Sequence, residues 1–230
     1  MDSSLKGRPG GAIWWKLIAV VFVLYTVIAG FLVSVPAQPI LHESIRNLYF
    51  HVPMWFSMMV ILFISLWHSI KYLSKSTIES DIIATQAAHT GMLLGALGLA
   101  TGSFWARYTW GAWWVADTKL NGAAITMLIY LAYFILRGSI DEEQKRARIA
   151  AVYNIFAYVM LIVFLMILPR MSDSLHPGNG GNPGFNKYDL DKNMRLVFYP
   201  AVIGWILLSV WILTLRIRLQ KLKRKLMFNE

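Results

Sequence analysis

Trp110-Gly111-Ala112-Trp113-Trp114-Val115-Ala116-Asp117 lies between two apolar runs, 82–104 and 122–138, and the reading of this junction decides the fold. Each run is close to the roughly 20 residues needed to cross a bilayer. Indole rings settle at a membrane–water boundary because the ring is apolar while its N–H wants a partner. An aromatic belt explains one or two such residues. Three tryptophans with a glycine, a terminating aspartate and basic flanks (Arg107 and Lys119) describe a surface built for something flat and apolar with an anionic edge.

Outward from that junction, the remaining chain has the same character. Of its 230 residues 57% are hydrophobic and 15% charged, against about 45–50% and 25% for a soluble domain. Six segments are long and apolar enough to span: about 13–35, 53–72, 82–104, 122–138, 149–169 and 196–215. The expectation is an all-α polytopic membrane protein with six transmembrane helices, folded as one integral membrane domain over 1–230. Residues 1–12 are polar and basic, but the run that follows has the length of a span and not of a short signal core, so it reads as a retained first helix. The tryptophan-rich loop is expected to cover 105–121.

The net charge of +10 suggests nucleic acid until its distribution is considered. Fifteen of the lysines and arginines fall at the N-terminus, the 73–81 turn, the 137–148 loop and the tail. Arg46, Arg107, Lys119, Arg170, Lys187, Lys192 and Arg195 fall on the other side. Positive charge is retained in the cytoplasm, so both termini are expected inside, and the partner of this charge is membrane lipid, with no nucleic acid. Loops 36–52, 105–121 and 170–195 then face outward, and function is expected there. The expected topology is that of a multi-pass membrane protein with its functional loops on the outer face.

The third span carries Gly91, Gly95, Gly98 and Gly102 on one face, a pattern that lets a second helix approach closely and supplies a rigid base beneath the tryptophans. His51 stands at the outer mouth of the second span, with Pro53 expected to set the first helical turn. His176 lies in the last outer loop, ahead of the Gly/Pro-rich stretch 177–184, which is expected to close over a ligand. Two imidazoles on the same side as an indole cluster fit haem, whose iron takes axial histidine. There are no cysteines, which excludes thioether attachment, so the expected cofactor is haem b, held noncovalently. His51 and His176 are the expected iron ligands. His42 is the rival from the first loop.

Asp117 reads either as the N-cap of the fourth span or as a group that bonds an indole N–H or a basic side chain to hold the platform. Arg107, Lys119, Arg170 and Arg195 are positioned for haem propionates. His68 and His89 lie within spans, where helix–helix hydrogen bonding is the expected role. Nucleophile–base pairs, zinc-protease motifs and phosphate loops are absent from the sequence, so an enzyme is not expected and any ATPase would belong to a partner. A membrane b-type cytochrome oxidoreductase, which would ligate haem within the spans, is one alternative. A haem permease subunit of a transporter is the other.

Trp110-Gly111-x-Trp113-Trp114-x-x-Asp117, Tyr49-Phe50-His51-Val52-Pro53 before the second span and Leu175-His176 in the last outer loop together resemble the haem-handling family of cytochrome c biogenesis that carries the tryptophan-rich WWD motif, most of all the haem exporter protein C type (CcmC). The resemblance covers roughly 35–215. It implies that Trp110, Trp113, Trp114 and Asp117 belong to a haem-binding motif on the outer face, with His51 and His176 as axial ligands. It also implies that bound haem is presented to a periplasmic haem chaperone, alongside ABC transporter subunits of the maturation system. Two positions depart from the family pattern: the usual tryptophan before the aspartate is Ala116, and the basic residue two places after it, often arginine, is Lys119.

Overall fold

Six long apolar stretches in a bilayer must satisfy their backbone groups internally, and helices do so within each segment. The computed structural model describes residues 13–36, 40–176 and 190–228. Its spans are α1 (Trp14–Leu32), α2 (Leu48–Lys75), α3 (Ile78–Trp110), α4 (Thr118–Gly138), α5 (Glu143–Met171) and α6 (Lys192–Phe228). All six are long and apolar enough to cross a membrane, and no strand occurs among the described residues. A 3-10 turn over His42–Asn47 runs directly into α2. The stretch 177–184 lies outside the described residues.

Several boundaries differ from the sequence expectation. α2 begins at Leu48 because the 3-10 turn feeds it, so Pro53 sits inside the helix and not at its first turn. The missing proline N–H costs one bond, to the carbonyl four residues back. α3 continues through Phe104 to Trp110, so the loop expected over 105–121 shrinks to the few residues between Trp110 and Thr118. α6 is 37 residues long. At 1.5 Å per residue it reaches about 55 Å, well beyond a hydrocarbon core of about 30 Å.

α2 is the central helix and packs against α3, α5 and α6, while α1 lies along α6 and α4 lies along α5. The main core joins Met58, Ile61 and Leu62 of α2 to Leu94, Tyr130, Leu161 and Leu213 from four other helices. The glycine stripe is what seats α2 on α3. A Cβ at Gly91 would come within 2.5 Å of the Leu62 side chain, and one at Gly98 within 2.8 Å of the Trp55 ring. On the other side, α5 widens into a π-helical turn at Val163–Ile167, and the Phe164 carbonyl closes on Gly122 of α4. Exposed Leu17, Val21, Leu24 and Ile28 on α1, and Leu128, Leu131 and Ile135 on α4, form the apolar outer surface that lipid requires.

The bundle has two distinct ends. At one, Arg137 of α4 and Asp81 of α3 form a two-pronged ion pair at 2.8 and 2.6 Å with both side chains largely buried. Lys221 bonds Glu79 and Arg224 bonds Glu143, so the extension of α6 is tied to the first turns of α3 and α5. At the other end, Arg46 donates to the carbonyls of Gly30 and Val33, and the Trp105 indole donates to Ser44. A second core of Ile45, Leu48, Tyr49, Met194, Val197 and Phe198 seals α1, α2 and α6 there. The motif tryptophans Trp110, Trp113 and Trp114, with His51 and His176, all belong to this second end.

Candidate haem site at the tryptophan end

α3 stops at Trp110 because Gly111 takes φ +79°, the left-handed conformation that glycine adopts without strain. The chain then turns across the end of the bundle, and Asp117 starts α4. The Asp117 carboxylate accepts from the backbone N–H groups of Lys119 at 2.9 Å and Leu120 at 3.3 Å. The N-cap reading of this residue therefore holds. It also does more than cap.

Asp117 is only 4% exposed. Its Oδ1 lies 3.0 Å from Nδ1 of His176, and its Oδ2 accepts from the Ser174 hydroxyl and the Leu175 N–H, each at 2.8 Å. One carboxylate thus fastens the last connector to the start of α4. Burial opposes its ionisation, but the bonds from His176, Leu175 and Ser174 outweigh that penalty and hold the carboxyl well below the usual carboxylate range. The expected indole or basic partner of Asp117 is thus a histidine. The carboxylate engages Nδ1 of this imidazole, an arrangement that fixes tautomer and ring angle in many metal-binding histidines.

The three motif tryptophans divide their roles. Trp110 sets its ring edge-on against His176, with centroids 4.9 Å apart at 69°. Trp113 meets Phe104 edge-on at 5.2 Å, and its carbonyl accepts from Ser103 at 2.8 Å. Trp114 donates its indole N–H to Asn121 at 3.2 Å. Trp113 and Trp114 remain 54% and 43% exposed, so two of the three motif indoles lie open at this end of the bundle. Arg107 donates to the Gly111 carbonyl and braces the turn. Lys119 is half-buried in the first turn of α4. Arg170 donates to Met166 and Arg195 to Leu190, both backbone carbonyls.

His51 lies in the second turn of α2, not in a loop. Thr101 of α3 is 3.0 Å from its Nδ1, and the Trp55 indole donates to its Nε2 at 3.3 Å. Trp105 closes a further side at 5.8 Å and 79°. A Cβ at Gly102 would come within 2.8 Å of the His51 ring, so the last glycine of the stripe makes the seat for this imidazole. The rival His42 is exposed on the 3-10 turn at φ +44°.

Sequence reasoning missed Trp55, Thr101, Trp105 and Ser174. Trp55 had a usable signal, since residues four apart on a helix are neighbours. Thr101 and Trp105 fall one residue short of and three beyond Gly102, on a stretch read as loop or span edge. In the spans, His89 stacks flat on Phe134 of α4 at 4.3 Å and 22°, while Nδ1 of His68 is buried with no hydrogen-bond partner among the described residues. Among the described residues, His89 therefore makes a packing contact, and His68 Nδ1 makes none of the expected interhelical hydrogen bonds.

Comparison with known proteins gives a consistent result. A family model described as Heme exporter protein C matches residues 9–230. A relative named Heme exporter protein C from Rhodobacter capsulatus is 26% identical over 92% of this chain and 87% of its own length. Its namesake from Escherichia coli K12 is 28% identical over 89% and 81%. Another, from Bradyrhizobium diazoefficiens, is 27% identical over 79% and 68%. A match of this extent, on a chain whose WWD residues build one end of a six-helix bundle, is decisive: the protein belongs to the haem exporter protein C family.

Proposed function

We propose that this protein binds haem noncovalently at the tryptophan end of the bundle and presents it to a haem chaperone during cytochrome c maturation. The family membership and the names of the relatives support haem handling. The observation that carries the finer reading is the Asp117–His176 bond, because it fixes one imidazole against Trp110 at the end of the bundle where Trp113 and Trp114 lie exposed. In this reading the bacterial inner membrane holds the six helices, the tryptophan end faces the periplasm, and the basic end faces the cytoplasm.

The donor set fits haem b. His51 and His176 supply two imidazoles for iron. Trp113 and Trp114 supply apolar faces for the porphyrin. Lys119 and Arg107 supply cations for its propionates. The absence of cysteine leaves no thioether route, so the haem is cargo that can leave again. Release requires a partner that remodels the loops or displaces one imidazole. The haem chaperone is that partner, and ATP-driven transporter subunits of the same maturation system supply the energy. This chain carries out no reaction of its own.

The test is purification with haem supplied, comparing the Soret band of the wild type with His51→Ala and His176→Ala. The expected result is strong haem retention in the wild type and its loss or a blue-shifted, weakened band in each variant. Wild-type spectra from both variants would refute the site.

A further inference from the structure

Both nitrogens of His51 are spoken for, and the partners determine where its proton is. The Thr101 hydroxyl has two carbonyls to donate to, Leu97 at 2.9 Å and Gly98 at 3.2 Å. Its oxygen is then left to accept, which makes Nδ1 of His51 the donor across 3.0 Å. An indole N–H can only donate, so Nε2, at 3.3 Å from Trp55 Nε1, is the acceptor. The indole contact therefore sets the tautomer of the neutral ring, with the lone pair on Nε2 and the proton on Nδ1, and the Thr101 contact is satisfied by it. That lone pair is covered by Trp55.

The helices hold this arrangement in place. His51 and Trp55 are one turn apart on α2, and both rings press on the glycine face of α3. The ring of Trp55 occupies the space a Cβ at Gly98 would need, and His51 occupies the space at Gly102. Trp105 blocks a further side of the imidazole. His51 thus has the tautomer that iron requires while its ligating atom is already bonded to a neighbour.

We propose that Trp55 is a positioning residue that competes with haem iron for Nε2 of His51. It keeps the imidazole oriented in the haem-free protein, and its N–H must be given up before iron binds. This rests on the reading of His51 as a haem ligand. A ligand that must break an internal hydrogen bond binds less tightly by about the worth of that bond, roughly three- to tenfold. Such weakening suits a protein that passes its haem on. Thr101 has the complementary part, because its acceptance from Nδ1 persists when Nε2 binds iron.

The experiment is haem titration of the full chain in detergent micelles, wild type against Trp55→Phe, which keeps a ring and removes the N–H. The expected result is a dissociation constant about three- to tenfold lower, slower transfer of haem to apomyoglobin, and an unchanged bis-imidazole spectrum. An unchanged or higher dissociation constant in a folded variant would overturn the proposal. Imidazole ¹⁵N spectra of the haem-free wild type give a second readout, which applies even if Trp55→Phe fails to fold. A non-protonated, hydrogen-bonded Nε2 on His51 is expected, and a protonated Nε2 sinks the idea. His51→Ala separates the two readings. Wild-type affinity in that variant removes His51 as a ligand altogether, whereas lost affinity with an unaltered Trp55→Phe removes only the role of Trp55.

Discussion

Asp117 and His176 are 59 residues apart in sequence, yet their Oδ1 and Nδ1 atoms lie 3.0 Å apart at the tryptophan end of the bundle. The same carboxylate caps α4 and takes two further bonds from Ser174 and Leu175. A helix start, a connector and a candidate metal ligand are therefore fixed by one side chain. Because its own seat is the N-terminus of a membrane helix, the connector inherits the rigidity of the bundle.

Asp117→Asn keeps the size of the side chain but weakens the pull on the imidazole. Changes to such outer partners of metal-binding histidines cost about 10–100-fold in affinity. Haem titration of the purified variant is expected to show a loss in that range. Asp117→Ala, which also removes the cap, is expected to lose about 1 kcal/mol more stability. Equal affinity in wild type and Asp117→Asn would remove the positioning role.

The depressed ionisation of Asp117 sets a pH dependence with a definite sign. A carboxyl whose pKa is lowered on folding contributes its stability fully above the unfolded value of about 3.9, and loses it as pH falls through the lower folded value. Amide exchange at Leu175, corrected for intrinsic rate, is expected to stay slow from neutral pH down to that of an ordinary carboxyl. Asp117→Asn is expected to exchange fast throughout. Loss of protection in the wild type near pH 6 would contradict the bonding described.

The glycine stripe makes a graded prediction. Gly102→Ala places a methyl against the His51 ring and Gly98→Ala one against Trp55, overpacking that costs about 1–3 kcal/mol and shifts the haem spectrum. Gly138→Ala meets nothing within 4 Å and serves as the control, with melting temperature and Soret band both expected near wild type.

At the opposite end, the Asp81–Arg137 pair is a second test. Both side chains are largely buried, so removing one partner leaves a charge uncompensated. Arg137→Met is expected to lower stability by about 3–5 kcal/mol, read as unfolding in detergent. Asp81→Asn combined with Arg137→Met is expected to recover much of that loss. Haem affinity per folded molecule is expected to be unchanged in both.

The spans were legible because membrane helices declare themselves by length and apolarity, which tertiary packing does not override. Their ends were less so. Trp105 and Arg107 read as loop because aromatic and basic residues mark an interface, yet α3 winds on until Gly111. Pro53 read as a helix start, and the 3-10 turn at His42–Asn47 that moves the start upstream has no strong sequence signal. The two histidines and the WWD residues stood out by residue type. Their links through Asp117, Ser174, Thr101 and Trp55 depend on which helix faces which, and the spacing along the chain does not contain that information.

The central claim is that two imidazoles from separate segments hold one iron. Electron paramagnetic resonance of the ferric haem complex tests it most directly, in the wild type and with His51 or His176 replaced by glycine and imidazole then added. The expected result is a low-spin, two-histidine signal in the wild type, a high-spin signal in each variant, and recovery of the low-spin signal with imidazole. A wild-type low-spin signal in either variant before imidazole is added would contradict it.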